Sequence, residues 1–388
     1  NQHNKVYVTA VNSGTGALEI ALDVLGVGSG DEVIVPGFMW ISSISAIIRS
    51  RAIPVLVDSD QTLGVDPEDL KVKISERTKV IMVVPMLGGS SKIGEIMEVV
   101  RNVNNSRKKD NLSKIFVLED CAQSLGAHAF GIPGSSQTSL PEGYYKLGTF
   151  GDIGTFSLQL NKDITAGEGG MVVTRDKELN DRVDALHNAG YIKKEKNNIN
   201  WYGDIPYGWG HGRRMSELQG AVARVQLKKL DSILDSIRKN HSFFEEFFKK
   251  QGIKLRKRAY QNNPGDTGYY LCFHLPENLD DNTAISKGRE IAKDLKDKGF
   301  NVWFLHDFEV HIYYNIEPLV KKFPMNDGSP WEDPKNSFHT QYKYDRGALP
   351  NLDHLLIRTI GLNMPSKMSD NTRDNMMNDL LVTLKNLY

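Results

Sequence analysis

From Lys5 to about Ala127 the chain alternates short aliphatic, β-branched runs with segments of helical spacing, and this alternation constrains the fold more than any other feature. "KVYVTAVNSG", "DEVIVPGF", "AIPVLVDSD", "TKVIMVVPML" and "KIFVLEDCAQ" read as strands. Between them, "TGALEIALDVLGVGSG" puts Leu18, Ala21, Leu22 and Leu25 on one helical face and stops at glycine. "SSISAIIRSR", "DPEDLKVKI" and "KIGEIMEVVRNV" read as further helices. Strands separated by helices cannot form hairpins, so the pattern predicts crossover units around a mostly parallel sheet in an α/β fold.

Beyond Ala127 the pattern loosens. Phe130 to Lys146 is rich in Gly, Ser and Pro and reads as a loop. "GDIGTFSLQL" and "GGMVVTRD" read as strands on either side of Lys162, and Lys177 to about Ala189 reads as a helix. "NNINWYGDIPYGWGHGRR" is a polar, aromatic loop. "MSELQGAVARVQLKKLDSILDSIRKNHSFFEEFFKKQ" reads as one long connecting helix with room for a bend. "GYYLCFHL", "ISKGREIAKDLKDKG" and the final "NTRDNMMNDLLVTLKNLY" predict a smaller α+β unit, and the proline-broken "KKFPMNDGSPWEDPKNSFHTQY" predicts a loop. At 388 residues two cores are expected, which divides the chain into 1–229 and 230–388.

Lys+Arg and Asp+Glu each total 48, so nothing in the charge points to nucleic acid or an anionic membrane. No apolar run is long enough to span a bilayer, and the start "NQHNKVYVT" has no signal-peptide pattern. Cys121 and Cys272 form neither a disulfide framework nor a metal-ligand cluster. A cytoplasmic protein without a metal site is the expectation.

Three short stretches carry chemistry. Ser13-Gly14-Thr15-Gly16 lies between a strand and a helix, where free amides favour an anion such as phosphate; a tight turn capped by Ser or Thr is the alternative. It is neither a Walker loop nor a dinucleotide fingerprint. Asp120 ends a strand at the sheet edge where ligands bind, and can pair with a protonated ring nitrogen or cap the following helix. Lys162 precedes glycines at 167, 169 and 170 that let backbone approach a flat ligand; a solvated turn lysine is the commoner fate. An anion cradle, a ring-nitrogen carboxylate and a lysine partner for an aldehyde are together what pyridoxal 5'-phosphate needs. Trp40, just past a strand end, can stack on its ring or serve as a core or interface residue.

With those residues in view, "NSGTGALEIAL", "GVGSGDEVIVPGF", "AIPVLVD", "TKVIMVVPMLG", "LEDCAQSLGA", "GDIGTFSLQLNK", "TAGEGGMVVT" and "RMSELQGA" follow in order the landmarks of the DegT/DnrJ/EryC1/StrS sugar aminotransferases. The chain resembles that family of fold-type I enzymes densely from Val11 to about Leu227. The resemblance implies a seven-stranded, mostly parallel large domain holding pyridoxal phosphate, with pyridoxamine phosphate formed during turnover. It makes Lys162 the residue that bonds the cofactor and moves the proton. Asp120 becomes the partner of the ring nitrogen, Ser157 with Gly14, Thr15 and Gly16 the phosphate site, Gln123 the neighbour of the ring hydroxyl, and Trp40 the stacking residue. Glu168 and Arg214 lie in family motifs and read as structural. The implied reaction takes an amine from glutamate or glutamine to a keto-sugar, nucleotide-linked in most relatives, with an inosose or an oxidised octulosonate as the alternative acceptor. Relatives that instead remove a sugar hydroxyl carry His at the lysine position, and Lys162 argues against that chemistry.

The chain departs from the family in places. Gly212 stands where the family has an Asn that reaches the cofactor phosphate of the neighbouring subunit, and His211 or Arg213 is the candidate replacement. Pro85 replaces a His, and Ala189-Gly190 replaces His-Gly. Fold-type I sites lie at a two-fold interface, so a homodimer is expected, with Trp201, Tyr207 and Trp209 as candidate anchors.

Overall fold

A computed structural model describes residues 5–136, 140–191, 207–260 and 265–385. The strands are β1 (Tyr7–Val11), β2 (Glu32–Pro36), β3 (Ile53–Val57), β4 (Thr78–Val83), β5 (Phe116–Asp120), β6 (His128–Gly131), β7 (Gly143–Lys146), β8 (Ile153–Ser157), β9 (Gly170–Thr174), β10 (Tyr270–His274), β11 (Val302–Phe304) and β12 (Thr359–Asn363). The helices are α1 (Gly14–Val24), α2 (Ile41–Arg49), α3 (Pro67–Lys73), α4 (Ile93–Lys109), α5 (Lys177–Leu186), α6 (Glu217–Leu227), α7 (Leu230–Lys250), α8 (Asp281–Asp297), α9 (Glu317–Val320), α10 (Pro350–Leu356) and α11 (Asp370–Leu384).

The large sheet has seven strands in the order β1-β9-β8-β5-β4-β2-β3. β2 pairs in parallel with β3 and β4, β4 with β5, and β5 with β8. β9 alone runs against its neighbours β1 and β8, so β1 points the same way as the other five. The carboxyl ends of β1, β2, β5 and β8 therefore share one edge. Every residue of β2, β3 and β8 is buried, as expected of strands covered on both faces. Leu18, Ala21, Leu22 and Leu25 are buried as their spacing predicts.

A second, antiparallel sheet, β10-β12-β11, packs with α7, α8 and α11 around Phe244, Phe248, Phe273, Leu295 and Leu362. The core beneath the large sheet also takes in Tyr270, Leu305, Tyr313, Leu349 and Leu352 from the later part of the chain.

Three expectations change. The Phe130–Lys146 loop contains the small antiparallel pair β6-β7, with Phe130 and Tyr144 rings facing across it at 5.1 Å. Cross-strand pairing supplies an order that a Gly/Ser/Pro-rich composition conceals. The long connecting helix is two helices, broken at Lys228–Lys229. α7 buries Leu230, Leu234, Ile237, Phe244 and Phe248, whereas α6 buries nothing, so one apolar period serves two surfaces. The proline-broken stretch holds a 3-10 helix, Pro334–Gln341, and pins itself with buried Trp331 and Asn336. Trp201 lies outside the described residues. No described helix is long and apolar enough to cross a membrane, and no group of His, Cys, Asp or Glu among the described residues could hold a metal.

Candidate active site

The common carboxyl edge of the sheet gathers the residues singled out above. β1 ends at Val11 and turns into α1 through Ser13, whose hydroxyl caps the helix by accepting from the Gly16 N–H at 3.0 Å. Val11 and Ser157 both pair with Gly170 across β9. A Cβ on Gly170 would lie 2.4 Å from the Ser13 carbonyl oxygen, and one on Gly14 would lie 2.8 Å from Ser157 Cβ. Only glycine lets the α1 amino terminus, the end of β8 and β9 come this close. The result is a set of helix-end amides with the Ser157 and Thr15 hydroxyls beside them, an arrangement suited to a phosphate. Thr15 Oγ1 is 2.8 Å from Ser42 Oγ.

Asp120, at the end of β5, is almost wholly buried. Its Oδ2 accepts from Ser43 Oγ at 2.8 Å and its Oδ1 from the Ala122 N–H at 3.3 Å. Burial raises its pKa, opposed by the Ser43 bond, the Ala122 N–H and the Lys162 charge. A cationic ring nitrogen is the counter-charge that would relieve this. Glu119, one residue earlier, faces the opposite side. It accepts from the N–H groups of Gly148, Phe150 and Gly151 at 2.7–2.8 Å, and burial still pushes it up to about 7. It ties β5 to the approach to β8.

Lys162 lies in the turn between β8 and β9. Its Nζ makes no hydrogen bond among the described residues. Burial lowers its pKa, opposed by the charges of Asp120 and then Asp163. This favours the neutral, nucleophilic amine that bonding to an aldehyde requires. Gln123 turns its carboxamide oxygen to the Leu87 N–H at 3.0 Å, linking β5 to the loop after β4. Gln219 Nε2 donates to the Glu168 carbonyl at 2.9 Å, and Arg214 pairs through its backbone with Val11, in keeping with structural parts for both.

His211 and Arg213 are engaged within their own chain. His211 Nε2 is 2.8 Å from Asp23, and Arg213 Nη2 is 2.6 Å from Glu19, which also meets Arg49 at 2.9 Å. The Arg213 stem passes over the turn into α1, its Cδ 3.5 Å from where a Gly16 Cβ would stand. Gly212 has φ +64 and open space around it.

Trp40 is 42% exposed at the end of β2. Its ring meets His311 at 4.7 Å, and His311 stacks on Phe308 at 3.9 Å. His311 Nδ1 lies 3.1 Å from the Phe308 carbonyl, an acceptor, so Nδ1 carries the proton. Burial and then the Lys162 charge bring its pKa down to about 4, against the bond to Phe308, so the ring is neutral near pH 7. The segment is sewn to the strand end by Met39 N–H to the His311 carbonyl and Tyr313 N–H to the Gly37 carbonyl, both 3.0 Å. Sequence reasoning missed Ser42, Ser43 and His311. The serines stand two and three residues after Trp40, which was the available signal.

The donor set fits pyridoxal phosphate: a glycine-lined helix end for the anion, a buried carboxylate for the ring nitrogen, a partly buried lysine with no hydrogen-bond partner among the described residues, and an exposed aromatic face.

GDP-perosamine synthase of Escherichia coli O157:H7 is 38% identical over 234 residues, 60% of this chain and 56% of that protein. L-glutamine:2-deoxy-scyllo-inosose aminotransferase of Streptomyces kanamyceticus is 32% identical over 71% of this chain and 60% of its own length. The chain thus spans less than two thirds of these relatives. The solved aminotransferase from Psychrobacter cryohalolentis superposes with a TM-score of 0.73 at 24% identity, covering 100% of this chain and 89% of its own, which establishes the fold. Residues 1–323 match the DegT/DnrJ/EryC1/StrS aminotransferase family, and the chain belongs to it.

Proposed function

We propose that this chain is a pyridoxal-phosphate-dependent aminotransferase that moves an amino group from glutamate or glutamine to a keto-sugar, nucleotide-linked by preference. The observation that carries this is Lys162, a largely buried lysine with a lowered pKa and no hydrogen-bond partner among the described residues, on the edge that holds the anion turn and Asp120. When bound, the cofactor supplies an electron sink for the carbon from which the proton leaves. The α1 amino terminus, Thr15 and Ser157 would hold its phosphate. Asp120, fixed by Ser43 and the Ala122 N–H, would keep a proton on the ring nitrogen. Trp40, braced by His311 and Phe308, would offer its exposed ring for stacking on the cofactor. Lys162 would bond the cofactor's aldehyde, and its amine, once freed, would take the α-proton from the amino acid and hold it for return. The keto-sugar is aminated by the reverse path.

The acceptor follows from the relatives, one named for a GDP-linked amino sugar and another for an inosose. We also read the chain as a homodimer. Leu218, Val222 and Val225 lie at helical spacing on α6 and are 82%, 47% and 52% exposed, an apolar stripe that a second copy would cover. Borohydride treatment followed by peptide mapping tests the cofactor assignment: the label belongs on Lys162, and a label elsewhere overturns it. An acceptor panel of nucleotide-linked keto-sugars, inososes and an oxidised octulosonate tests the substrate. Sedimentation of Leu218→Asp, expected as a monomer, tests the dimer.

A further inference from the structure

Asp163 follows Lys162 in the turn between β8 and β9, and the mechanism above gives it no part. Its carboxyl is largely buried, and Oδ1 is sealed from solvent with no hydrogen-bond partner among the described residues. A buried carboxylate oxygen without a donor is costly, so such a group calls for an electrostatic partner. Three groups on the surrounding elements interact with it electrostatically. Lys162 shares its turn. Arg238 projects from α7, but its Nε and Nη2 donate to the carbonyls of Asp266 and Gly126, both at 3.1 Å, so it offers Asp163 a fixed charge and no bond. Tyr269, whose hydroxyl donates to the Asn161 carbonyl at 3.3 Å, lies on the same side. The other carboxylate near the lysine, Asp120, is already bound by Ser43 and Ala122.

Resting on the proposed function, we propose that Asp163 is a positioning residue for the Lys162 amine. Its carboxylate is a fixed counter-charge that makes the freed amine a stronger base than burial alone would leave it. The proton balance is simple. The substrate α-carbon loses a proton, the lysine passes from –NH2 to –NH3+, and Asp163 stays ionised beside the new cation. Burial pushes the Asp163 carboxyl up to about 7, while the Lys162 and Arg238 charges pull it down. The counter-charge is therefore present above that pH and lost as the carboxyl protonates below it, weakening the base on the acid side.

The test uses the full chain stripped of cofactor. Competitive acetylation across pH, read by mass spectrometry on the Lys162 peptide, gives the titration of that amine. Asp163→Asn is expected to lower its pKa by about one unit, raising its acetylation at neutral pH up to about tenfold. Asp163→Glu should keep the amine near its native titration, and Asp163→Ser replaces the Asn variant if that one does not fold. An unchanged or raised titration in a folded Asn or Ser variant overturns the proposal. No cofactor or sugar enters this measurement. A failure of the functional reading appears separately, as wild-type protein from which borohydride recovers no cofactor on Lys162.

Discussion

Replacing Gly14 by Ala probes the phosphate turn at its tightest point. The new Cβ would stand 2.8 Å from Ser157 Cβ and 3.2 Å from Ser157 Oγ, where carbon atoms prefer about 3.5–4.0 Å. The near contact is a Cβ, which no rotamer change can move. Ser157 is pinned in β8, which pairs with β5 on one side and β9 on the other. Relief must come from the α1 amino terminus, whose amides and Thr15 hydroxyl form the turn. Overpacking of this kind costs about 1–3 kcal/mol, more than the gain of up to about 1 kcal/mol from alanine's helix preference. If half of that strain appears in the geometry of the turn, phosphate binding weakens about threefold to tenfold. Titration of cofactor-free protein with pyridoxal phosphate, followed by absorbance, measures this, and pyridoxal lacking the phosphate is the control. The expected result is a loss for pyridoxal phosphate with pyridoxal unaffected. Gly28→Ala, with nothing within 4 Å of the new Cβ, should leave both unchanged. A Gly14→Ala protein that binds pyridoxal phosphate normally, or loses both ligands equally, refutes the assignment of this turn.

Asp120→Asn should retain cofactor but slow the half-reaction with glutamate at least tenfold in single-turnover spectra, because the ring nitrogen loses its charged partner. Glu119→Gln turns an amide donor toward at least one of three backbone donors and should cost about 1–3 kcal/mol in urea unfolding, with no specific effect on cofactor binding. Gly212→Asn places in a left-handed conformation a residue that tolerates it, with space around it, and should tighten pyridoxal phosphate binding in the proposed dimer; unchanged affinity would argue against a cross-subunit contact from this position. His241 is deeply buried and brought down from 6.5 to about 4, so its share of stability is intact above pH 6.5 and lost as pH falls toward 4. His241→Leu should therefore gain on wild type in urea midpoints as pH drops through that window.

The parallel sheet was legible because β1 to β4 are short, largely apolar runs, each with a helix after it. The position of Asp120 was legible for a related reason: it ends β5, and strand ends are where such folds place ligands. Lys162 drew notice through the glycines that follow it, and Ser157 through the family likeness alone. The shape of the site was not legible. Ser43 reaches Asp120 through one hydroxyl, a contact that leaves no period in the sequence. His311 reaches Trp40 from a segment far along the chain, after the densest part of the family likeness has ended. Gln123 was expected beside the ring, and its carboxamide oxygen is taken by the Leu87 N–H, which leaves the amide nitrogen for any ligand contact. The break between α6 and α7 was hidden because the apolar spacing continues through it, while the partner surface changes.

Gly37, just ahead of Trp40, has a consequence for how relatives of this chain can diverge. A Cβ there would fall 2.2 Å from Leu349 Cδ1, 2.8 Å from Leu352 Cδ2 and 2.9 Å from Tyr313 Cδ1. The backbone under the exposed tryptophan is thus seated directly on side chains of α10 and of the segment after His311. Residues distant in the sequence inherit a shared constraint: a lineage that puts a side chain at 37 has to make room at 349, 352 and 313 together, or displace Trp40. Position 37 and α10 should therefore change together across descendants. Grafting the later part of one relative onto the earlier part of another should fail unless these positions travel as a set.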